Sequence, residues 1–308
     1  MGSHGFVTLL LVSAVSVGTP LLYTALGELI SETTGVINIE LEGMMLCGAF
    51  FGILGAYWTH GVVGGFVCAA LGGALLAALH GVICFVFRAN QVVSGVILNI
   101  FALGITSFLL STVLAERVSK SITHLADIKI PLLSSIPAIG PAFFDQDVMV
   151  YVALLSVPAI WWLLNRTSLG LAMKAAGERP QAAESLGVDV GRTRWLALLA
   201  CGCLAGIGGG QLAIAGIGFF TENMTAGIGY IALAAVIFGR WRAFGVLGAV
   251  LLFAIADAFQ IRAAGLGVHI PYQFLAMLPY LVTLVALAGL LRRSNPPSAL
   301  AVNYHPND

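Results

Sequence analysis

The sequence predicts an all-α membrane protein, a polytopic bundle of about nine transmembrane helices within a range of eight to ten. Composition is the first observation behind this. Hydrophobic residues make up 59% of the 308 positions and charged residues 9%, with a mean hydropathy of +0.99, whereas a soluble domain carries about 25% charged residues. Pattern is the second: the apolar residues come in runs long enough to cross a bilayer, broken by short polar stretches. The third is a single basic loop that interrupts the runs. We read residues 1–308 as one transmembrane domain. Net charge is zero, so nothing points to nucleic acid.

The elements follow in order. Residues 1–27 hold no Lys, Arg, Asp or Glu. Phe6–Leu26 reads as a span, because a signal peptide would need a basic start and a small-residue cleavage site. Gly27–Gly43 is polar, with Glu28, Glu32, Glu40 and Glu42, and reads as a loop or a short re-entrant piece. Spans follow at Met44–Trp58, Gly61–Phe87 and Val92–Leu114. Residues 115–147, with Pro131, Pro137 and Pro141, form a segment outside the membrane. Val148–Leu164 is the next span. After the basic loop come Trp195–Phe220, Ala226–Gly239, Phe244–Phe259 and Gln273–Leu291. The run at 226 is short and predicts a tilted or shared crossing. The 37 glycines, many inside apolar runs, predict close helix packing.

Orientation follows from Lys and Arg. Under nine spans Arg88, the loop at 165–194, Arg240, Arg242, Arg292 and Arg293 share one side, which is then cytoplasmic. Nine spans put the N-terminus outside and the C-terminus inside; a ten-span count, with one re-entrant piece taken as a crossing, moves the N-terminus. Five cysteines, Cys47, Cys68, Cys84, Cys201 and Cys203, lie in apolar runs and read as small buried hydrophobes. No metal site or cofactor is expected.

The basic loop, NRTSLGLAMKAAGERPQAAESLGVDVGRTR, holds Arg166, Lys174, Arg179, Arg192 and Arg194. Its spacing predicts two short helices. Ser168 caps the first and Gly177, at positive φ, stops it. Pro180 opens the second and Gly187 ends it. Ala182, Ala183 and Leu186 share a face that lets another protein approach closely. A solvated connector is the plainer alternative.

Four polar residues stand in or at the ends of spans, Asn99, Gln211, Asp257 and Gln260, with Asp257 the only acidic residue within a span by these boundaries. Such residues face a bundle interior or a water-filled path; an interhelical hydrogen bond is the alternative for Asn99 and Gln211, and pairing with Arg262 for Asp257. There is no G-x-x-x-x-G-K-[ST], since none of the three lysines follows a glycine, and no H-E-x-x-H or G-x-S-x-G. An enzyme is therefore not expected. Carboxylate pairs near mid-membrane also read as absent, which counts against an ion-coupled secondary carrier.

The runs GVINIELEGMMLCGAFFG (35–52), QVVSGVILNIFALGITSFLL (91–110), GIGYIALAAVIFGRWRAFG (227–245) and IPYQFLAMLPYLVTL (270–284), with the basic loop, resemble the membrane subunits of bacterial ABC importers. The resemblance covers most of residues 19–291. It is to the branched-chain amino acid/ribose-type permease superfamily, and within it to nucleoside and simple-sugar permeases. It implies a permease subunit in the bacterial cytoplasmic membrane that moves a nucleoside or simple sugar by alternating access. It further implies an ATPase subunit as partner, a second and related permease subunit, and an extracytoplasmic solute-binding lipoprotein. The family's loop pattern, G-x-x-x-R-A-x-G-E-N-P-x-A-A, falls on Gly170, Lys174, Ala175, Gly177, Glu178, Pro180, Ala182 and Ala183, implying that these contact the ATPase. Lys174 replaces the usual Arg, Arg179 the usual Asn, Thr33 an Arg and Ala243 a Pro. Asn99 and Gln211 are the expected path residues. The ion-coupled carrier remains the rival reading.

Overall fold

Helix α1 (Ser3–Thr33) runs well past its apolar stretch. No glycine or proline separates Glu28 from Thr33, so nothing stops the helix where the apolar residues end. At 31 residues it is about 46 Å long, against a hydrocarbon core of about 30 Å. The computed structural model describes residues 3–114, 127–129, 134, 139–265, 277, 281 and 295–304.

After α1 the chain turns at Gly35 (φ +89°) and re-enters the bundle as a buried, non-helical segment, 34–40. Helix α2 (Leu41–Thr59) starts inside. It is the central helix: 83% of its apolar window is buried, against 28% for peripheral α6 (Val148–Arg166). Helix α3 (Val62–Gly81) continues as a π-helical turn, Val82–Val86. Asn90 caps α4 (Gln91–Leu109), accepting from Val92 N and Val93 N, and a π-helical turn at Leu110–Leu114 ends it. A short hairpin pairs β1 (Asp127–Lys129) antiparallel with β2 (Asp145–Asp147), Asp127 opposite Asp147. Helix α5 (Ile139–Phe143) precedes β2.

Helices α7 (Ser168–Glu178) and α8 (Pro180–Ser185) make the loop after α6. Helix α9 (Val190–Gly210) crosses next and ends in a π-helical stretch, Gln211–Ile217. Helices α10 (Ile228–Phe238) and α11 (Ala243–Gly265) follow.

Among the described residues seven helices are long and apolar enough to cross a membrane, and α10 is shorter. Each agrees with a predicted span. The last predicted span, Gln273–Leu291, lies outside the described residues apart from Met277 and Leu281, as does most of 115–147.

The shortness of α10 has a structural reason. A Cβ on Gly229, in its first turn, would sit 2.4 Å from Glu42 N, so α10 starts beside the inner end of α2. Glu42 accepts from Thr225 Oγ1 (2.6 Å), Gly227 N (2.8 Å) and Gly229 N (2.8 Å). One carboxylate thus satisfies the open amides of a helix that begins within the bundle.

Glycine does the packing work predicted for it. A Cβ on Gly206 would lie 2.2 Å from Ala69 O, and one on Gly209 1.9 Å from Met45 O. The α9 backbone therefore rests directly on α2 and α3. Lipid tails are as apolar as leucine, so such close van der Waals contact is what holds a membrane bundle together.

Candidate coupling loop and solute path

The loop sits where α1 ends and α9 begins. Thr167, not Ser168, caps α7: its Oγ1 accepts from Gly170 N at 3.0 Å and donates to Leu163 O at 2.6 Å. Gly170 is packed against α6, where a Cβ would come within 2.1 Å of Leu163 O. Lys174 Nζ donates to Asn165 Oδ1 (2.8 Å). Gly177 does not stop α7 and is not at positive φ; the helix runs on to Glu178. Its requirement is space, since a Cβ there would meet Thr33 O at 2.2 Å. The left-handed residue of the loop is Gly187 (φ +85°).

Pro180 opens α8 and is buried. The expected shared face of Ala182 and Ala183 is split. Ala183 is buried with Ala176 and Val190, against Val188 and Tyr304. Ala182 is exposed, and Leu186 beyond it is 86% exposed. The burial has a simple cause: a six-residue helix keeps only one side free once it packs on α7 and α9.

A second segment, the tail at 295–304, clamps this loop. Ala299 N donates to Gly177 O (2.8 Å) and Ala301 N to Gly35 O (3.0 Å). Ser298 Oγ donates to Glu178 (2.7 Å), and Tyr304 donates to Glu184. Asn303 Nδ2 donates to the carbonyls of Arg88 (3.2 Å) and Ala89 (3.0 Å). Arg194, one of the five loop cations, is buried. It donates to Thr34 O (3.1 Å) and Val302 O (2.9 Å) and lies 5.7 Å from the Tyr304 ring centre.

The path candidates differ from one another. Asn99 is fully engaged. Its Oδ1 accepts from Gly43 N (2.8 Å) and its Nδ2 donates to Ile39 O (2.8 Å) and Tyr230 Oη (2.9 Å). It therefore ties α4 to the entry of α2 and to α10. Tyr230 is 48% exposed. Gln211 Nε2 donates to Asp147 Oδ2 (2.9 Å), while its buried Oε1 has no partner. Gln211, Asp147, Asp257 and Ser16 line a cavity of about 190 Å³. The alternative reading of Asp257, pairing with Arg262, is not what the structure shows: Arg262 donates to Ser13 Oγ through Nε (2.9 Å) and Nη2 (2.8 Å).

Two sequence expectations fail together. Because α1 extends to Thr33, Glu28 and Glu32 lie within a span, and Asp257 is not the only acid there. Glu28 accepts from Asn38 N (2.9 Å), Asn38 Nδ2 (2.6 Å) and Cys201 Sγ (3.4 Å). Glu32 accepts from Trp241 Nε1. Glu40, on the re-entrant segment, lies 3.3 Å from His80 Nδ1, both fully buried. Acidic groups are thus clustered inside the bundle, and their supposed absence is no evidence against an ion-coupled carrier. The spacing of Glu28 and Glu32, four apart and in register with buried Leu21 and Ala25, was the missed signal. Among the described residues no group of His, Cys, Asp and Glu has the arrangement of a metal site, and the five cysteines are free.

Comparison with known proteins decides the family. Residues 10–288 match the model for the branched-chain amino acid transport system / permease component. The chain is 36% identical to the guanosine ABC transporter permease protein NupQ of Bacillus subtilis, over 92% of each chain. It is 37% identical to the nucleoside ABC transporter permease protein NupC of Lactococcus lactis, over 93% of each. It is also 37% identical, over 96% of this chain and 97% of the other, to TsgC13 of Haloferax volcanii, which is named for glucose. The first two organisms each hold a second, more distant relative named for the same solute, NupP at 26% and NupB at 24% identity. No solved structure matches. With seven apolar helices of membrane-spanning length among its described residues, a loop folded onto the bundle end and a match over most of its length, the chain belongs to the branched-chain amino acid transport system / permease component family.

Proposed function

We propose that this permease subunit of an ABC importer moves a nucleoside, with a simple sugar as the second reading. The observation that carries it is the similarity to two nucleoside permeases across more than nine-tenths of both chains. The sugar reading draws on the equal similarity to the protein named for glucose, and a nucleoside itself carries a sugar ring. The chain does no covalent chemistry; a separate ATPase supplies the work.

In this reading the α7–α8 loop is cytoplasmic and receives the ATPase. Gly170, Gly177, Pro180 and Ala183 shape and seat the loop. Lys174 and Ala175 lie on the half-exposed side of α7, and Glu178 holds the tail. Ala182, with Leu186 beside it, offers the open contact. Through the tail, hydrogen bonds of Tyr304 to Glu184, Ala299 to Gly177, Ala301 to Gly35 and Arg194 to Val302 link α8 and α7 to the ends of α1 and α9. A push on the loop is then a push on the helices around the re-entrant segments. Alternating access follows if those segments have two arrangements that ATP binding biases.

The path runs along the face that carries Tyr230 and Asn99. Polar groups exposed at mid-membrane are costly against lipid, so this face is covered by the second permease subunit or by water. Gln211, with Asp147 and Asp257, is a second polar station towards the other end. A solute-binding lipoprotein delivers to that end. Uptake of labelled guanosine, other nucleosides and glucose by the complete complex, with the second permease subunit, the ATPase and the lipoprotein reconstituted together, tests the assignment. Saturable, ATP-dependent nucleoside uptake that glucose does not inhibit is expected. Glucose uptake without nucleoside uptake would replace the first reading with the second.

A further inference from the structure

We infer that the groove beside the coupling loop binds the headgroup of an anionic phospholipid. The groove lies between the end of α6, α7 and the turn from α10 to α11, with a volume of about 850 Å³. Lys174, Arg240 and Arg242 line it, with Asn165 among them and Trp161 and Phe244 at its apolar side. No Asp or Glu is in the lining. Among the described residues no carboxylate pairs with these three cations, and Lys174 has the neutral amide of Asn165 as its hydrogen-bond partner. This charge calls for an anion.

The surroundings say which kind of anion. The groove opens at the level where spans end, and its aromatic side continues into exposed apolar surface. Trp162 on α6 is 58% exposed, Phe244 on α11 54% and Leu155 68%. Trp161 and Phe244 rings lie 6.2 Å apart, and Arg166 sits 6.0 Å from the Trp161 ring centre. Indole rings with cations beside them are the arrangement of a membrane–water interface. A ligand with a phosphate at one end and acyl chains at the other satisfies both halves of the groove. A free phosphate would leave the aromatic side uncovered. Basic pockets between helices at the cytoplasmic boundary hold anionic headgroups on this principle.

The turn carrying the arginines is also strained. Arg240 (φ +55°) and Trp241 (φ +53°) are both left-handed, a conformation that side chains with a Cβ rarely adopt. Trp241 is anchored by its bond to buried Glu32. The strain sets Arg240 and Arg242 on the groove, and such local strain gathers where position matters. Lys174 lies on α7, so a bound headgroup would touch the loop that the proposed function makes the coupling element. The inference rests on that reading only for the leaflet involved. With the opposite orientation the same groove would face the other leaflet and retain lipid equally.

The test is native mass spectrometry of the purified full-length chain after exposure to phosphatidylglycerol or phosphatidylcholine in detergent. Selective retention of phosphatidylglycerol is expected. The double variant Arg240→Gln/Arg242→Gln should weaken it by about fivefold for each lost charge. Arg240→Lys/Arg242→Lys should keep most of it, and Arg192→Gln, which removes an exposed cation elsewhere, all of it. Equal retention of both lipids, or retention unchanged in the Gln variant, would overturn the inference. So would displacement of the lipid by excess inorganic phosphate, which would mark a free-anion site. Loss of the lipid when the full transporter assembles would show instead that a protein partner fills the groove.

Discussion

Gly177 shows what single residues require in this protein. Its neighbours are a carbonyl of α1 and an amide of the tail: a Cβ would lie 2.2 Å from Thr33 O, while its own carbonyl accepts from Ala299 N. Gly177→Ala therefore forces backbone apart. The expected cost is about 1–3 kcal/mol, typical of overpacking, with no penalty from φ because the residue is already helical. A lowered melting temperature of the purified protein and reduced co-purification of the ATPase are expected. Unchanged values of both would show that α7 moves aside freely. The importance of this glycine was legible in the sequence but its reason was not. Sequence offered a helix stop, and the contact comes from a helix end more than 140 positions away. Glu42 is similar: next to an apolar run it reads as a local N-terminal charge, yet it caps α10, with partners 183 to 187 positions on.

At the scale of elements, the two-helix loop was readable because its signals are local: Pro180 in the first turn of α8 and Gly187 at positive φ after it. Which face is free was not readable, because that depends on the tail and on α9. The split between Ala182 and Ala183 now gives a sharper experiment than either residue alone. Ala182→Trp adds an indole on open surface, so the loop should fold as before. Docking of the ATPase should fail, with ATP-driven uptake lost and membrane levels of the permease unchanged. Ala183→Trp puts the same ring into the cluster of Ala176, Val190 and Tyr304. It should disorder the loop itself and raise its proteolysis. If Ala182→Trp preserves both ATPase recovery and uptake, the α8 face is not the contact, and the plainer reading of a solvated connector gains. The acidic cluster was missed at this scale for one reason: the boundary of α1 was placed where hydropathy fell, although the helix had no cause to stop there.

The whole molecule poses two questions, its orientation and its company. Orientation is checked with single cysteines at Ser185 and Ser134. Cys47, Cys84 and Cys201 are buried and can stay, while Cys68 and Cys203 are partly exposed and would be replaced. An impermeant thiol reagent added to intact cells should label position 134 and spare 185. Labelling of 185 alone would invert the topology and move the coupling loop outside.

The company of the chain follows from its unpaired surface. On α4 Val93, Val96, Ile97, Ile100 and Phe101 are exposed, and the engaged but accessible pair Asn99 and Tyr230 lies beside them. An apolar face would suit lipid, but a tyrosine hydroxyl and an amide at mid-membrane depth would not. We propose that a second permease subunit covers this face, with the solute path between the two, which would resolve the conflict. We propose that this partner differs in sequence, by analogy with the relatives. In two organisms a close relative of this chain is accompanied by a distant one named for the same solute, at 36% against 26% identity and 37% against 24%. We therefore expect this chain, expressed with the ATPase and lipoprotein alone, to give no uptake, and uptake to appear when a related permease is added. A cysteine at Ile100 should then cross-link to that second permease rather than to another copy of this chain. Full uptake with this chain as the sole permease, together with Ile100→Cys forming self-cross-linked dimers, would establish a homodimer. The Tyr230 face would in that case meet its own copy across a twofold axis, and the path would be lined twice by the same residues.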